Sequence, residues 1–233
     1  MTHLKRSAIP KTWPLPRKGT KYIITSKGAY GMNGIPVAIF LKTVLKLAEN
    51  LNQIKEILNE KQVLVNGRIV KEPQFSVGIF DTITISKLKK NYLVVIENKK
   101  IAAKEISAAD AKNKFCKVIG KKKIAKGKMQ INLYGGRNVL TDEKIGINDS
   151  IILDLEKNKV MKILPLKEGS FVKIIGGKHI GASGEVKKIE KRIFVKLEGK
   201  LAEVERKNIF VFERLSEMKD FRSAKNSKEN FSA

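Results

Sequence analysis

Within its first hundred residues this chain changes the period of its apolar residues from 3.6 to 2, and few folds accommodate that change. Between residues 37 and 48, Val37, Phe40, Leu41, Val44, Leu45 and Ala48 share one helical face. A second stripe follows at Leu51, Ile54, Ile57 and Leu58. Asn50 between the two is a suitable N-cap, so the spacing predicts two short helices in a helical hairpin. "VLVNGRIV", from residue 63, then reads as two strands around Asn66-Gly67, the dipeptide of a type I′ turn. In "SVGIFDTITI", Ile83 and Ile85 alternate with Thr82 and Thr84.

The flanking segments obey other rules. "HLKRSAIPKTWPLPRKG", beginning at His3, has neither period. Pro10, Pro14, Pro16 and Pro36 fix φ and hold residues 1–36 extended. Such a segment cannot fold alone and must lie on something. Residues 91–166 read as short strands, with "NYLVVIENKKIAAKEI" as strand, turn, strand and "SIILDLEKNKVMKIL" as a hairpin around Glu156 to Asn158. Residues 167–212 are β structure punctuated by Gly169, Gly176, Gly177, Gly181, Gly184 and Gly199, which suits a small barrel. The expected organisation is therefore α+β and multi-module. It comprises an extended basic arm (1–36), a helical-hairpin unit (37–90), a central β unit (91–166), a small barrel (167–212) and a polar tail (213–233).

Charge narrows the function. Lys and Arg number 48 against 23 Asp and Glu, a net +25 spread along all 233 residues. Such an excess repels itself unless a polyanion neutralises it, and nucleic acid is the commonest one. A membrane is disfavoured, because the longest apolar run, "IPVAIFL", is far short of the ~20 residues a span needs. "MTHLKRSAIP" does not read as a secretory signal. The single Cys116 excludes an internal disulfide framework and sits in apolar surroundings as a buried small hydrophobe. One Cys with His3 and His179 cannot make a structural zinc site. No Ser/His/Asp set and no phosphate-loop motif is present, and "GGKHIG" lies within β structure with no helix after it. No enzymatic activity, cofactor, metal or small-molecule substrate is expected.

RNA binding fits the residue types. Lys5, Arg6, Lys11, Arg17, Lys18 and Lys21 of the arm can meet phosphates, and Trp13 can either stack on a base or anchor the arm. Lys42 and Lys46 share a face of the first helix. "GKKKIAKGK" places Lys121, Lys122, Lys123, Lys126 and Lys128 in a loop flanked by strands. Arg137 and Lys173 complete the candidate contacts. The acids are scattered singly among lysines, where most are solvated partners. Binding should weaken steeply with salt, and free of RNA the arm and the tail should be largely disordered.

Four stretches also occur in a familiar order: "HLKRSAIPKTWPLPRKG", a helical hairpin running into "VLVNGRIVKEPQFSVGIFDTITI", "LYGGRNVL", and "LKEGSFVKIIGGKHIGASGEVKKI". Over roughly residues 3–212 the chain resembles the archaeal and eukaryotic small-subunit ribosomal protein four (e-type) family. The resemblance implies an alpha-L RNA-binding module in the hairpin region. It also implies a KOW motif around Gly181, Gly184 and Val186, and binding to the 5′ domain of the small-subunit ribosomal RNA. Carried over by position, the arm contributes Lys5, Arg6, Lys11, Trp13, Arg17 and Lys18. The alpha-L surface contributes Lys42, Lys55, Asn66, Arg68 and Lys71, and the KOW loop Lys178, His179 and Gly181. Two positions depart from the pattern: Asn52 replaces a basic residue and Lys61 a glycine. The implied setting is the cytoplasmic ribosome of an archaeon, among neighbouring ribosomal proteins, with no homo-oligomer. An RNA-modifying enzyme is a poor alternative, because Gly136-Arg137-Asn138-Val139 lacks the aspartate of the G-R-L-D stretch in pseudouridine synthases. A transcription or processing factor using its barrel on a protein partner is suggested by neither the arm nor the four-motif order.

Overall fold

A computed structural model of the chain describes residues 3–124, 129–190, 192–197 and 200–212. Lys126, Lys128 and the tail from 213 lie outside the described residues. The fold is α+β, with many strands and few helices.

The arm is part of the core. Its strand β1 (Leu4–Lys5) pairs with β2 (Tyr22–Ile23). Leu4, Ile9 and Trp13 point inward, and Trp13 is only 1% exposed. The Trp13 indole N–H donates to the Gly34 carbonyl at 3.2 Å. Burying an indole of that size is worth on the order of 4 kcal/mol before entropy. The expectation of an arm disordered without RNA is therefore corrected: proline keeps the path extended, and three apolar anchors fasten it. Strand β3 (Ile35–Pro36) then leads into α1 (Val37–Ile39).

The first helix is shorter than its stripe. After α1 the chain widens into a π turn, Phe40–Val44, and Lys46 adopts φ 53°, so the helix stops before Ala48. Helix α2 (Leu51–Asn59) starts where expected. The Gln53 side-chain oxygen accepts from the backbone N–H of Glu49 (2.9 Å) and Asn50 (3.4 Å), closing a capping box at Asn50. Lys61 takes a left-handed φ of 57° just beyond α2, and the Gln62 N–H reaches back to the Ile57 carbonyl at 3.3 Å. That is a glycine-type helix stop made with lysine.

Five strands follow as a sheet: β4 (Val63–Val65), β5 (Arg68–Ile69), β7 (Thr82–Ile85), β8 (Lys90–Glu97) and β9 (Lys100–Ile106), in the order β5-β4-β7-β8-β9. Between β5 and β7, β6 (Ser76–Val77) pairs with β3. Asn66 (φ 50°) and Gly67 (φ 75°) make the expected turn. The sheet runs past residue 90, so a unit boundary there would cut it; the sheet ends at Ile106. Arm, helices and this sheet share one hydrophobic core. The arm is tied on by the Ile101 N–H, which donates to the Thr12 carbonyl at 2.8 Å.

The central sheet is organised by one long strand, β10 (Asn113–Lys123). Its first half pairs with β13 (Ser150–Asp154) and its second with β11 (Met129–Leu133), across a bulge between Val118 and Gly120. Strands β12 (Asn138–Thr141) and β14 (Val160–Leu164) complete the order β12-β11-β10-β13-β14. Lys121, Lys122 and Lys123 thus lie in a strand and not in a loop.

The third sheet has the order β18-β17-β16-β15-β19. Its strands are β15 (Phe171–Ile174), β16 (Ser183–Ile189), β17 (Ile193–Leu197), β18 (Lys200–Val204) and β19 (Ile209–Phe212). All five strands line one core, although β18 and β19 are not paired among the described residues. β19 is buried on both faces: Ile209 and Val211 enter this core, while Phe210 and Phe212 enter a second cluster with Phe80, Ile96 and Phe115. Phe80, held at φ 66°, stands with its ring centroid 4.7 Å from that of Phe212 and 5.2 Å from that of Phe210. This aromatic cluster joins the three sheets.

Candidate nucleic-acid interface

A polyanion is read by a surface whose cations are fixed in place, so what fixes them matters first. Asp81 is buried beside Lys114, with Nζ to Oδ1 at 2.7 Å. The Tyr30 hydroxyl donates to the same oxygen at 2.7 Å, Lys114 donates to Tyr30 at 3.1 Å, and the Gly78 N–H donates to Asp81 Oδ2 at 2.8 Å. Burial, then the Asp81 charge, pushes the Tyr30 phenol far above its ordinary range. This network joins arm, first sheet and central sheet. It also explains two glycines: a Cβ on Gly78 or Gly135 would collide with Tyr30 atoms. Sequence reasoning missed Asp81, which is no solvated partner.

Most candidate cations are displayed on the surface. Lys5, Lys11, Arg17, Lys18, Lys21, Lys42, Lys46, Lys55, Arg68, Lys71 and Lys178 are exposed, as are Lys121, Lys122 and Lys123. Several other candidates need correction. Trp13 is sealed in the core and cannot stack on a base. Asn66 is buried, its side-chain oxygen accepting from the Thr82 N–H at 3.1 Å. Gly181 donates its N–H to the Ile174 carbonyl at 2.8 Å, and its missing Cβ lets the loop approach Ile96. Arg6 is engaged inside the arm, donating to the carbonyls of Thr20 (2.9 Å) and Pro16 (3.0 Å) and to the Thr20 hydroxyl (2.7 Å). Lys173 is half-buried, which lowers its pKa, with Glu97 opposing that shift. His179 is half-buried in the β15–β16 loop.

Two groupings emerge. Arg137 donates to the Asn66 carbonyl at 3.0 Å, and its pKa is lowered by burial and then by the charge of Arg68. The two guanidinium groups therefore crowd one place beside the Asn66-Gly67 turn. The second grouping is a groove of about 400 Å³ between arm and helices, lined by residues including Arg6, Tyr22, Lys42 and Leu51. Tyr22 is 47% exposed, with the Lys21 amine 5.4 Å from its ring centroid and His3 edge-on at 5.5 Å. An exposed ring with a lysine amine over it suits base stacking. Tyr22 was missed because Trp13 drew attention as the only tryptophan; the signal available was an aromatic directly following Lys21.

Cys116 is buried as expected, and burial pushes its thiol up to about 11.

Comparison with known proteins returns consistent matches. A family model described as "Ribosomal family S4e" matches residues 88–160, and one described as "S4 domain" matches residues 36–83. The small ribosomal subunit protein eS4 of Methanospirillum hungatei is 35% identical, over 79% of this chain and 78% of its own length. That of Methanocella arvoryzae is 38% identical, over 81% of each. The crystal structure of the 30S ribosomal protein S4e from Thermoplasma acidophilum superposes with a TM-score of 0.68 at 22% identity. The match covers 79% of this chain and 97% of that one, a likeness of fold.

Proposed function

Because this chain belongs to the small ribosomal subunit protein eS4 family, we propose that it is a structural constituent of the small ribosomal subunit that binds the 5′ domain of the ribosomal RNA. The family is one of ribosomal structural proteins and not of enzymes. On this reading the chain works in the cytoplasm, inside the ribosome, among neighbouring ribosomal proteins. Residues 37–90, with the sheet continuing to Ile106, act as the alpha-L module, and residues 167–212 act as the KOW unit.

The observation that carries the reading is the groove between arm and helices. It combines Lys42 and the remaining Arg6 donors, which suit phosphates, with an exposed Tyr22 ring that suits a base. Arg68 and Arg137 form a second phosphate contact at the hairpin turn. Lys5, Lys11, Lys55 and Lys71 extend the basic surface around them.

The test is binding of the full chain to a transcript of that RNA domain. Affinity should fall about 10³-fold or more between roughly 50 and 200 mM salt. Tyr22→Ala should weaken it by about 1–3 kcal/mol, the usual worth of one stacked base. In cell lysate the native protein should sediment with the small subunit through a high-salt wash. Salt-insensitive binding, or migration at the top of the gradient, would refute the assignment.

A further inference from the structure

A cleft of about 1000 Å³ opens where the arm and all three sheets meet. Its walls include Lys11 of the arm, Lys99 of the β8–β9 turn, Lys117 of β10, Tyr134 after β11, Lys178 of the β15–β16 loop, and Lys207. Among the described residues, five lysines line it and no aspartate or glutamate does. Lys207 has a partner outside the cleft, Glu205, at 2.8 Å. Lys11, Lys99 and Lys178 make no ion pair among the described residues. Cations gathered around one space repel one another, and an anion in that space removes the penalty.

Lys117 is the most telling of the five. It is 3% exposed and forms no ion pair with a carboxylate among the described residues. Its amine donates to the carbonyls of Arg206 and of Ile209, the latter at 2.9 Å. An ammonium has three donors, so one N–H has no partner among the described residues. Burial lowers its pKa to about 8. Ile119, Ile175 and Ile180 give the cleft an apolar wall, and Asn33, Asn148 and Asn208 add polar groups that can hydrogen-bond a base edge. The space lies at the upper end of pockets that enclose small ligands, well beyond what a lone phosphate fills.

We propose that this cleft receives one unpaired nucleotide of the bound RNA, its phosphate held by Lys117 and the rim lysines and its base laid against the apolar wall. This rests on the RNA-binding reading above and adds a site within it. An acidic peptide would match the charge but would leave the apolar wall and its planar Tyr134 neighbour unused.

The experiment uses the full chain, a single-stranded RNA hexamer of mixed sequence and the RNA-domain transcript. Lys99 and Lys178 are exposed, so Lys99→Glu/Lys178→Glu retains the fold. It should lower hexamer affinity about tenfold or more and reduce the salt slope by roughly the two contacts removed. Lys117→Met should do the same where it folds. A hexamer carrying 4-thiouridine should crosslink to a peptide containing Ile119 or Tyr134. Hexamer affinity within twofold of the parent, or crosslinks confined to the groove at Tyr22, would overturn the cleft site while leaving the RNA reading intact. Loss of transcript binding by the unaltered protein would overturn the RNA reading itself. Preference of the cleft for a poly-glutamate peptide over the hexamer would identify a protein partner instead and sink the nucleotide proposal.

Discussion

Lys114 and Lys117 lie three residues apart on β10, point to opposite faces, and are about equally buried, at 2% and 3% exposure. Their surroundings are opposite. Lys114 meets Asp81 at 2.7 Å and Tyr30 at 3.1 Å, inside a junction where every charge has its counterpart. Among the described residues, Lys117 donates to carbonyl oxygens alone, beside a cleft whose other charges are positive. A buried charge is tolerable when an opposite charge and further hydrogen bonds replace the water it lost. The first junction supplies these from the chain itself, so its role is to hold arm and sheets together. The second supplies dipoles alone, leaving the opposite charge to come from outside.

The largest effect should come from removing the carboxylate. Asp81→Ala strands Lys114 in the interior and removes the acceptors of Tyr30 and Gly78, and should cost about 3–5 kcal/mol in urea unfolding. Asp81→Leu combined with Lys114→Met should recover only the part of that loss due to the stranded charge, because the Tyr30 hydroxyl and the Gly78 N–H still lack their acceptor. A cost under about 1 kcal/mol for the single change would erase the contrast between the two lysines.

The second test sharpens the contrast through pH. The Lys117 amine has a folded pKa of about 8 against an ordinary 10.5. Between those values the unfolded chain binds the proton that the folded chain has released. Stability from this group therefore rises with pH across the window, and its penalty is full below pH 8. The gap corresponds to at most about 3 kcal/mol. Cys116, pushed up to about 11, and Tyr30 pull the other way above their ordinary values. Both are present in Lys117→Met, so the difference between parent and variant isolates Lys117. That difference should shift in the parent's favour from pH 8 to 10.5; a flat difference would show a charge already neutralised within the fold.

These junctions mark where sequence reading stops. The second helix, the N-cap at Asn50 and the Asn66-Gly67 turn were legible because each is set by residues within a few positions of one another, whereas the π turn that cuts the first helix short was not. The arm's path was legible from its prolines, but its docking was not. Leu4, Ile9 and Trp13 follow no period, and their partners lie on other elements. Asp81 and Lys114 meet across 33 positions, so neither could be told from a surface charge. The extent of the first sheet was misjudged for a similar reason: β8 pairs both with β7 and with β9, and composition does not change between them. Of the site, the basic surface residues were legible as a population. Tyr22, and the crowding of Arg137 with Arg68, depend on contacts that spacing does not encode.

The smallest effect calibrates the others. Lys90 and Glu105 form an ion pair at 3.4 Å between β8 and β9, with both side chains about half exposed. Water already solvates these charges and salt screens them, so the pair replaces little that the unfolded chain lacks. Lys90→Ala should change stability by no more than about 0.5 kcal/mol and should lose even that at high salt. The chain then holds three lysines in three regimes: paired and buried, buried without a carboxylate, paired and exposed. If Lys90→Ala instead matched Asp81→Ala, pairing alone would set the energy and burial would not. The open lysine beside the cleft would then have no claim to an outside anion. A small loss keeps burial as the deciding variable, and with it the distinction between a junction closed by the chain and one completed by a ligand.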